Sequence, residues 1–146
     1  MRNHLTFFTL FFICVFSHAT IAAGPPEQWR HSDAITAVSA VDVEGAVFEI
    51  SSLLLSDKSG STLGQLQSIE SRSDWPVPAR EAILYQFTRT LATLPREAVP
   101  PNVIQYLQDY RPRVLVPHQD HASAYVPLFN IRGAAAGVEN AWRRNE

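Results

Sequence analysis

Residues 79 to 94 read AREAILYQFTRTLATL, and this stretch decides the fold class. Ile83, Phe87, Leu91 and Leu94 recur at intervals of three and four, so they share one face of a helix. Leu84 and Tyr85 widen that face. Pro78 suits a first helical turn, where its missing N–H costs nothing, and Pro95 stops the run.

The same period extends on both sides. Residues 44 to 56, EGAVFEISSLLLS, put Val47, Ile50 and Leu54 on one face, with Phe48 and Leu55 widening it. Asp57-Lys58-Ser59-Gly60 predicts a tight turn. Thr62 and Gln65 have capping-box spacing ahead of Leu63, Leu66 and Ile69. These two helices form an antiparallel hairpin that Trp75-Pro76-Val77-Pro78 closes. Beyond the 79–94 helix, Pro100-Pro101 open a short helix carrying Val103, Ile104, Leu107 and Tyr110. First helices therefore start near 44 and 78, and second helices near 62 and 101. A stagger of 34 to 39 residues is the scale of an α-solenoid repeat.

The stretch Leu53-Leu54-Leu55-Ser56-Asp57, with Thr62-Leu63-Gly64-Gln65-Leu66 and Pro78-Ala79-Arg80-Glu81-Ala82-Ile83-Leu84, resembles paired helices of the HEAT type. It is also similar to exported proteobacterial proteins carrying such repeats. The resemblance covers residues 44 to 110. It implies an α-solenoid fold and a binding or scaffolding role, and it carries over no catalytic residues. The expected architecture is all-α: two helical hairpins over 44–110, a Pro-rich loop over 111–130, and a C-terminal helix over 131–146.

The flanks are less regular. Residues 24–43 predict a leader segment; within it, the alanines of 34–43 favour helix while Val41 and Val43 alternate as a strand does. In RPRVLVPHQDHASAYVP, residues 111 to 127, Pro112, Pro117 and Pro127 bar a continuous helix and break the repeat. An ordered loop anchored by Val114, Leu115, Val116 and Tyr125 is expected there. Helical spacing returns with Ile131, Ala134, Ala135, Val138, Ala141 and Trp142. The Gly133/Gly137 spacing is a membrane-dimer signal only within an apolar run, and Arg132, Glu139, Arg143 and Arg144 exclude that. No glycine or proline closes this helix while its apolar stripe is running. The expectation is further repeats or self-association on that side.

Residues 1–23 have the three parts of a secretion signal. Arg2 makes the start positive, Leu5 to Phe16 (LTFFTLFFICVF) is apolar, and small residues precede Gly24-Pro25-Pro26. Cleavage is expected after Ala23, with Ala19 and Ala22 as alternatives. The apolar core is shorter than the ~20 residues a span needs, so no membrane span follows signal removal. Cys14, the only cysteine, leaves with the signal, so the exported domain relies on packing rather than disulfides. Its formal charge moves from −2 to −3 with the loss of Arg2. A near-neutral, slightly acidic chain argues against nucleic acid as partner. The expected location is the periplasm or the medium, and the expected partner a protein or cell-envelope component.

Candidate chemistry is sparse. His118, Asp120 and His121 form the one cluster of metal-ligating types, and imidazole with carboxylate suits zinc. A metal-dependent hydrolase or metal-binding protein centred there is the alternative to a binding module without cofactor. Against it, the spacing supplies no further ligand, and Asp commonly satisfies loop backbone. Gly60-Ser61-Thr62-Leu63-Gly64 has the outline of a nucleophile elbow but lacks the central serine and preceding strand, so no catalytic residue is assigned. Tyr110, Arg111 and Arg113, at a helix end beside Tyr106, are candidate partner-binding residues, and so is the aromatic Trp142.

Overall fold

The computed structural model describes residues 24–56, 60–121 and 123–146, so the signal over 1–23 lies outside the described residues. Among the described residues the chain forms six α-helices and a three-stranded sheet. In order these are β1 (Glu27–Gln28), α1 (His31–Val38), α2 (Val43–Leu55), α3 (Ser61–Ser71), α4 (Val77–Leu91), α5 (Pro101–Gln108), β2 (Val114–Pro117), β3 (Tyr125–Pro127) and α6 (Ile131–Asn145). A single 3-10 turn, Arg96–Ala98, joins α4 to α5. No helix among these residues is long and apolar enough to cross a membrane.

The 79–94 periodicity marks the central element. Helix α4 packs against α1, α2, α3, α6 and β2. Ala82, Ile83, Leu84, Phe87 and Leu91 are all buried, so the helix is covered nearly all round. Each such large side chain contributes about 1.5–3 kcal/mol on burial. Thr88 is buried as well, and its hydroxyl is satisfied by donating to the Leu84 carbonyl at 2.7 Å.

Helix α2 starts at Asp42, whose carboxylate accepts from Gly45 N at 3.0 Å. Its inward residues are Val43, Ala46, Val47, Ile50 and Leu54. Phe48 and Leu55, expected to widen that face, point away instead, 73% and 63% exposed. At 100° per residue they lie roughly 110–130° round the helix from the centre of the 43/47/50/54 stripe. Gly60 takes a left-handed φ of 89° and caps α3, so the chain enters the helix at Ser61. Thr62 consequently does not cap the helix; it shares the inward face with Leu66 and Ile69 and is buried. The expected turn over 57–59 lies outside the described residues.

Two flanking segments are more ordered than their sequence suggests. Residues 27–28 of the leader pair in parallel with Val114 and Leu115, and α1 follows, burying Ala34 against α4. The expected Pro-rich loop folds back as an antiparallel pair, Leu115 opposite Pro127 and Pro117 opposite Tyr125. Val114 and Val116 alternate inward, whereas Tyr125 remains 44% exposed rather than anchoring the segment. Pro117 and Pro127 end their strands, where a missing donor does little harm.

Helix α6 is capped by Asn130, whose side-chain oxygen accepts from Gly133 N at 2.9 Å. It packs on α4 and α5, burying Ile131, Ala135, Val138 and Trp142. The apolar stripe expected to be open is therefore used inside the chain. What α6 turns outward is Asn140 among small and basic residues: Arg132, Gly133, Ala136, Gly137, Arg143 and Arg144.

Candidate functional site

Helix α3 presents Leu63, Gln67 and Glu70 at spacings of four and three, and α5 with its C-cap Asp109 presents Asn102, Gln105, Tyr106 and Asp109 at three, one and three. Each set is one helix face. The two faces wall a solvent-open groove of 460 Å³, closed at one end by Tyr110, Arg111 and Arg113 as the chain leaves α5 for β2. Three of the four expected partner-binding residues thus meet in one place. The acids of the groove already have donors: the Tyr106 hydroxyl donates to Glu70, and the Gln105 amide donates to Asp109 at 2.8 Å. Arg111 and Arg113 make no ion pair among the described residues.

Beneath this groove lies a residue that pattern reading missed. Glu81 on α4 is fully buried, and its Oε1 accepts both the Tyr110 hydroxyl, at 3.1 Å, and the backbone N–H of Arg113. Its Oε2 has no protein partner. Burial pushes the Glu81 carboxyl up to about 7, against the opposing pull of the Arg113 N–H and the Tyr110 hydroxyl. Burial and the adjacent carboxylates of Glu81 and Glu70 raise the Tyr110 phenol above its ordinary range. Tyr106 is raised likewise, by burial first and then by Glu70. Both tyrosines are thus neutral hydrogen-bond donors, held in place by acids behind them. The available signal was that Glu81 falls in the same helical arc as Val77, Leu84 and Thr88, all buried.

Trp142 is elsewhere and is not a surface residue. It is 6% exposed, and its indole N–H donates to the Leu94 carbonyl at 2.9 Å. It borders a larger, 670 Å³ depression between the end of α2, α5 and α6. The charged groups there are largely spoken for, since Arg96 pairs with Glu146 and Glu139 with Arg143, each at 3.3 Å. The smaller groove is for this reason the better candidate.

The expected zinc ligands sit in the β2–β3 connection. The His118 and His121 rings are stacked with centroids 5.3 Å apart, and His118 Nδ1 accepts from Asp120 N at 3.1 Å. His31 borders the same shallow depression as His118 and Asp120. Among the described residues, however, no group of three or more His, Cys, Asp or Glu side chains is placed to hold a metal ion. The His118 ring also braces the turn through its hydrogen bond to loop backbone.

In comparison with known proteins, no family model matches the chain, and neither a curated protein nor a solved structure does. The class its fold defines is a predominantly α-helical protein with a small mixed sheet.

Proposed function

We propose that this chain is an exported helical-repeat module that binds a protein or cell-envelope partner through the α3/α5 groove. The observation that carries this reading is the groove itself. Half-buried Tyr106 lines it beside Arg111, which is exposed, and Arg113, over a floor that buried Tyr110 helps to form, while the acids around them are already hydrogen-bonded. Tyrosine and arginine are the side chains on which binding energy concentrates.

The packing that supports a repeat is that of α2 on α4, α4 on α6 and α3 on α5, with α2 and α3 as one pair; α4 and α5 do not pack as the expected second hairpin, and α5 lies against α6. The segments Asp42-Val43-Glu44-Gly45-Ala46 and Asn130-Ile131-Arg132-Gly133-Ala134 share a cap, a glycine three residues on, and inward positions four and seven residues beyond Val43 and Ile131. Export to the periplasm or medium rests on the signal pattern of residues 1–23.

Two measurements test the proposal. N-terminal sequencing of the exported protein is expected to start between residues 20 and 25; a protein still beginning at Met1 and extracted only by detergent defeats export. A photo-cross-linking residue at Gln67, in the groove, is expected to capture a discrete partner in the envelope that the same residue at exposed Gln86 does not. Equal capture at both positions defeats the groove.

A further inference from the structure

We propose that the outward faces of α2 and α6 are the two halves of one head-to-tail interface, each receiving the other helix from a second copy of this chain. The outward face of α2 carries Phe48 and Leu55, the two most exposed large hydrophobic side chains among the described residues, at 73% and 63%. They are seven residues apart, two turns of one helix face. Exposed Glu44 and Glu49 flank them, and α2 contains no lysine or arginine.

The outward face of α6 is its complement in size and in charge. Exposed Ala136 and Gly137 sit where large side chains would stand, and a Cβ added at Gly137 meets nothing within 4 Å. Arg132, Arg143 and Arg144 are exposed around this hollow. The acid within α6, Glu139, is already paired with Arg143 at 3.3 Å, and Arg132 and Arg144 make no ion pair among the described residues.

The two helices also agree in phase. With Asp42 matched to Asn130, the buried residues Val43, Val47, Ile50 and Leu54 correspond to Ile131, Ala135, Val138 and Trp142. The outward positions then correspond as well, Phe48 to Ala136. Each helix buries its inner face against α4, so both outer faces point away from the core. A large acidic-flanked ridge on one helix and a small basic-flanked hollow on the other favour unlike faces meeting; like faces would set acid on acid or arginine on arginine. Such a contact is heterologous. A pair formed this way keeps one free face of each kind and recruits further copies.

The test uses the purified protein with two variants, Phe48→Asp and Ala136→Glu, both at exposed positions. Light scattering is expected to show concentration-dependent association of the native chain that weakens in high salt, and at least a roughly tenfold weaker association for either variant alone. An equimolar mixture of the two is expected to form a one-to-one pair that does not grow, because each retains the face the other lacks. A native chain that stays monomeric at all concentrations overturns the proposal. So do variants that associate like the native chain, or a mixture that remains monomeric. If circular dichroism shows either variant misfolded, Glu44→Lys with Glu49→Lys replaces it: association is expected to fall, and unchanged association overturns the proposal.

Discussion

The Tyr110 hydroxyl, just past the end of α5, donates at 3.1 Å to the carboxylate of Glu81, a fully buried acid in the second turn of α4. The same carboxylate oxygen receives the N–H of Arg113, so one buried acid holds two residues of the candidate groove.

That arrangement makes stability depend on pH. The folded-state value of about 7 lies above the ordinary value of 4.5, so the folded protein holds the proton more tightly than the unfolded chain does. The contribution is complete below about pH 4.5 and is lost as pH rises through about 7, amounting to on the order of 3 kcal/mol. Glu81→Gln keeps an acceptor for both donors without the charge. Its stability by urea unfolding is expected to match the native protein at low pH and to exceed it above neutrality. A constant difference across that window is the contrary result.

Trp142 gives a prediction about the core. Truncation to alanine is expected to cost about 3–5 kcal/mol. Trp142→Phe keeps most of the packing but leaves the Leu94 carbonyl without its donor, costing about 1 kcal/mol more than the packing change alone. Denaturant melts of both variants measure this, and a neutral Trp142→Ala contradicts the burial.

The paired helix caps predict an unusual sign. Glycine to alanine inside a helix ordinarily stabilises by about 1 kcal/mol. At Gly133, however, the new methyl group runs into the Asn130 side chain that caps α6. Gly133→Ala is expected to lose the cap, itself worth about 1 kcal/mol, and to show no net gain in thermal stability. Gly137→Ala, with open space around it, is expected to show the ordinary gain.

For the histidine pair, His118→Ala is expected to loosen the turn by about 1 kcal/mol through loss of the acceptor for Asp120 N, and His121→Ala to cost less. Zinc is expected to leave the melting temperature unchanged in all three proteins. A zinc-dependent rise in the native protein, absent from both variants, reverses this and points to a ligand set that the stacked rings complete on binding.

How much of this was legible beforehand depended on whether the cause was local. Periodicity at Ile83, Phe87 and Leu91, with prolines at 78 and 95, places α4 because helix spacing and its breakers are properties of neighbouring residues. The same holds for α2, α5 and α6 and for the grouping of Tyr110, Arg111 and Arg113 at one helix end. The strands were not legible. Gln28 meets Leu115 only after the chain has folded across the whole helical layer, and two or three residues carry too little pattern to announce a strand.

The sequence alone determined that α2 to α6 are helical, roughly where they stop, and which groups are available for chemistry, because sterics and hydrophobic spacing act over one or two turns; α1 was left undecided. Tertiary structure alone decided how wide the buried face of each helix is. It sent Phe48 and Leu55 out while drawing Trp142 in, closed a sheet from residues far apart, and set Glu81 under Tyr110 and Arg113. Those outcomes follow from competition among distant surfaces for the same buried volume around α4, and no local stretch of chain contains that information.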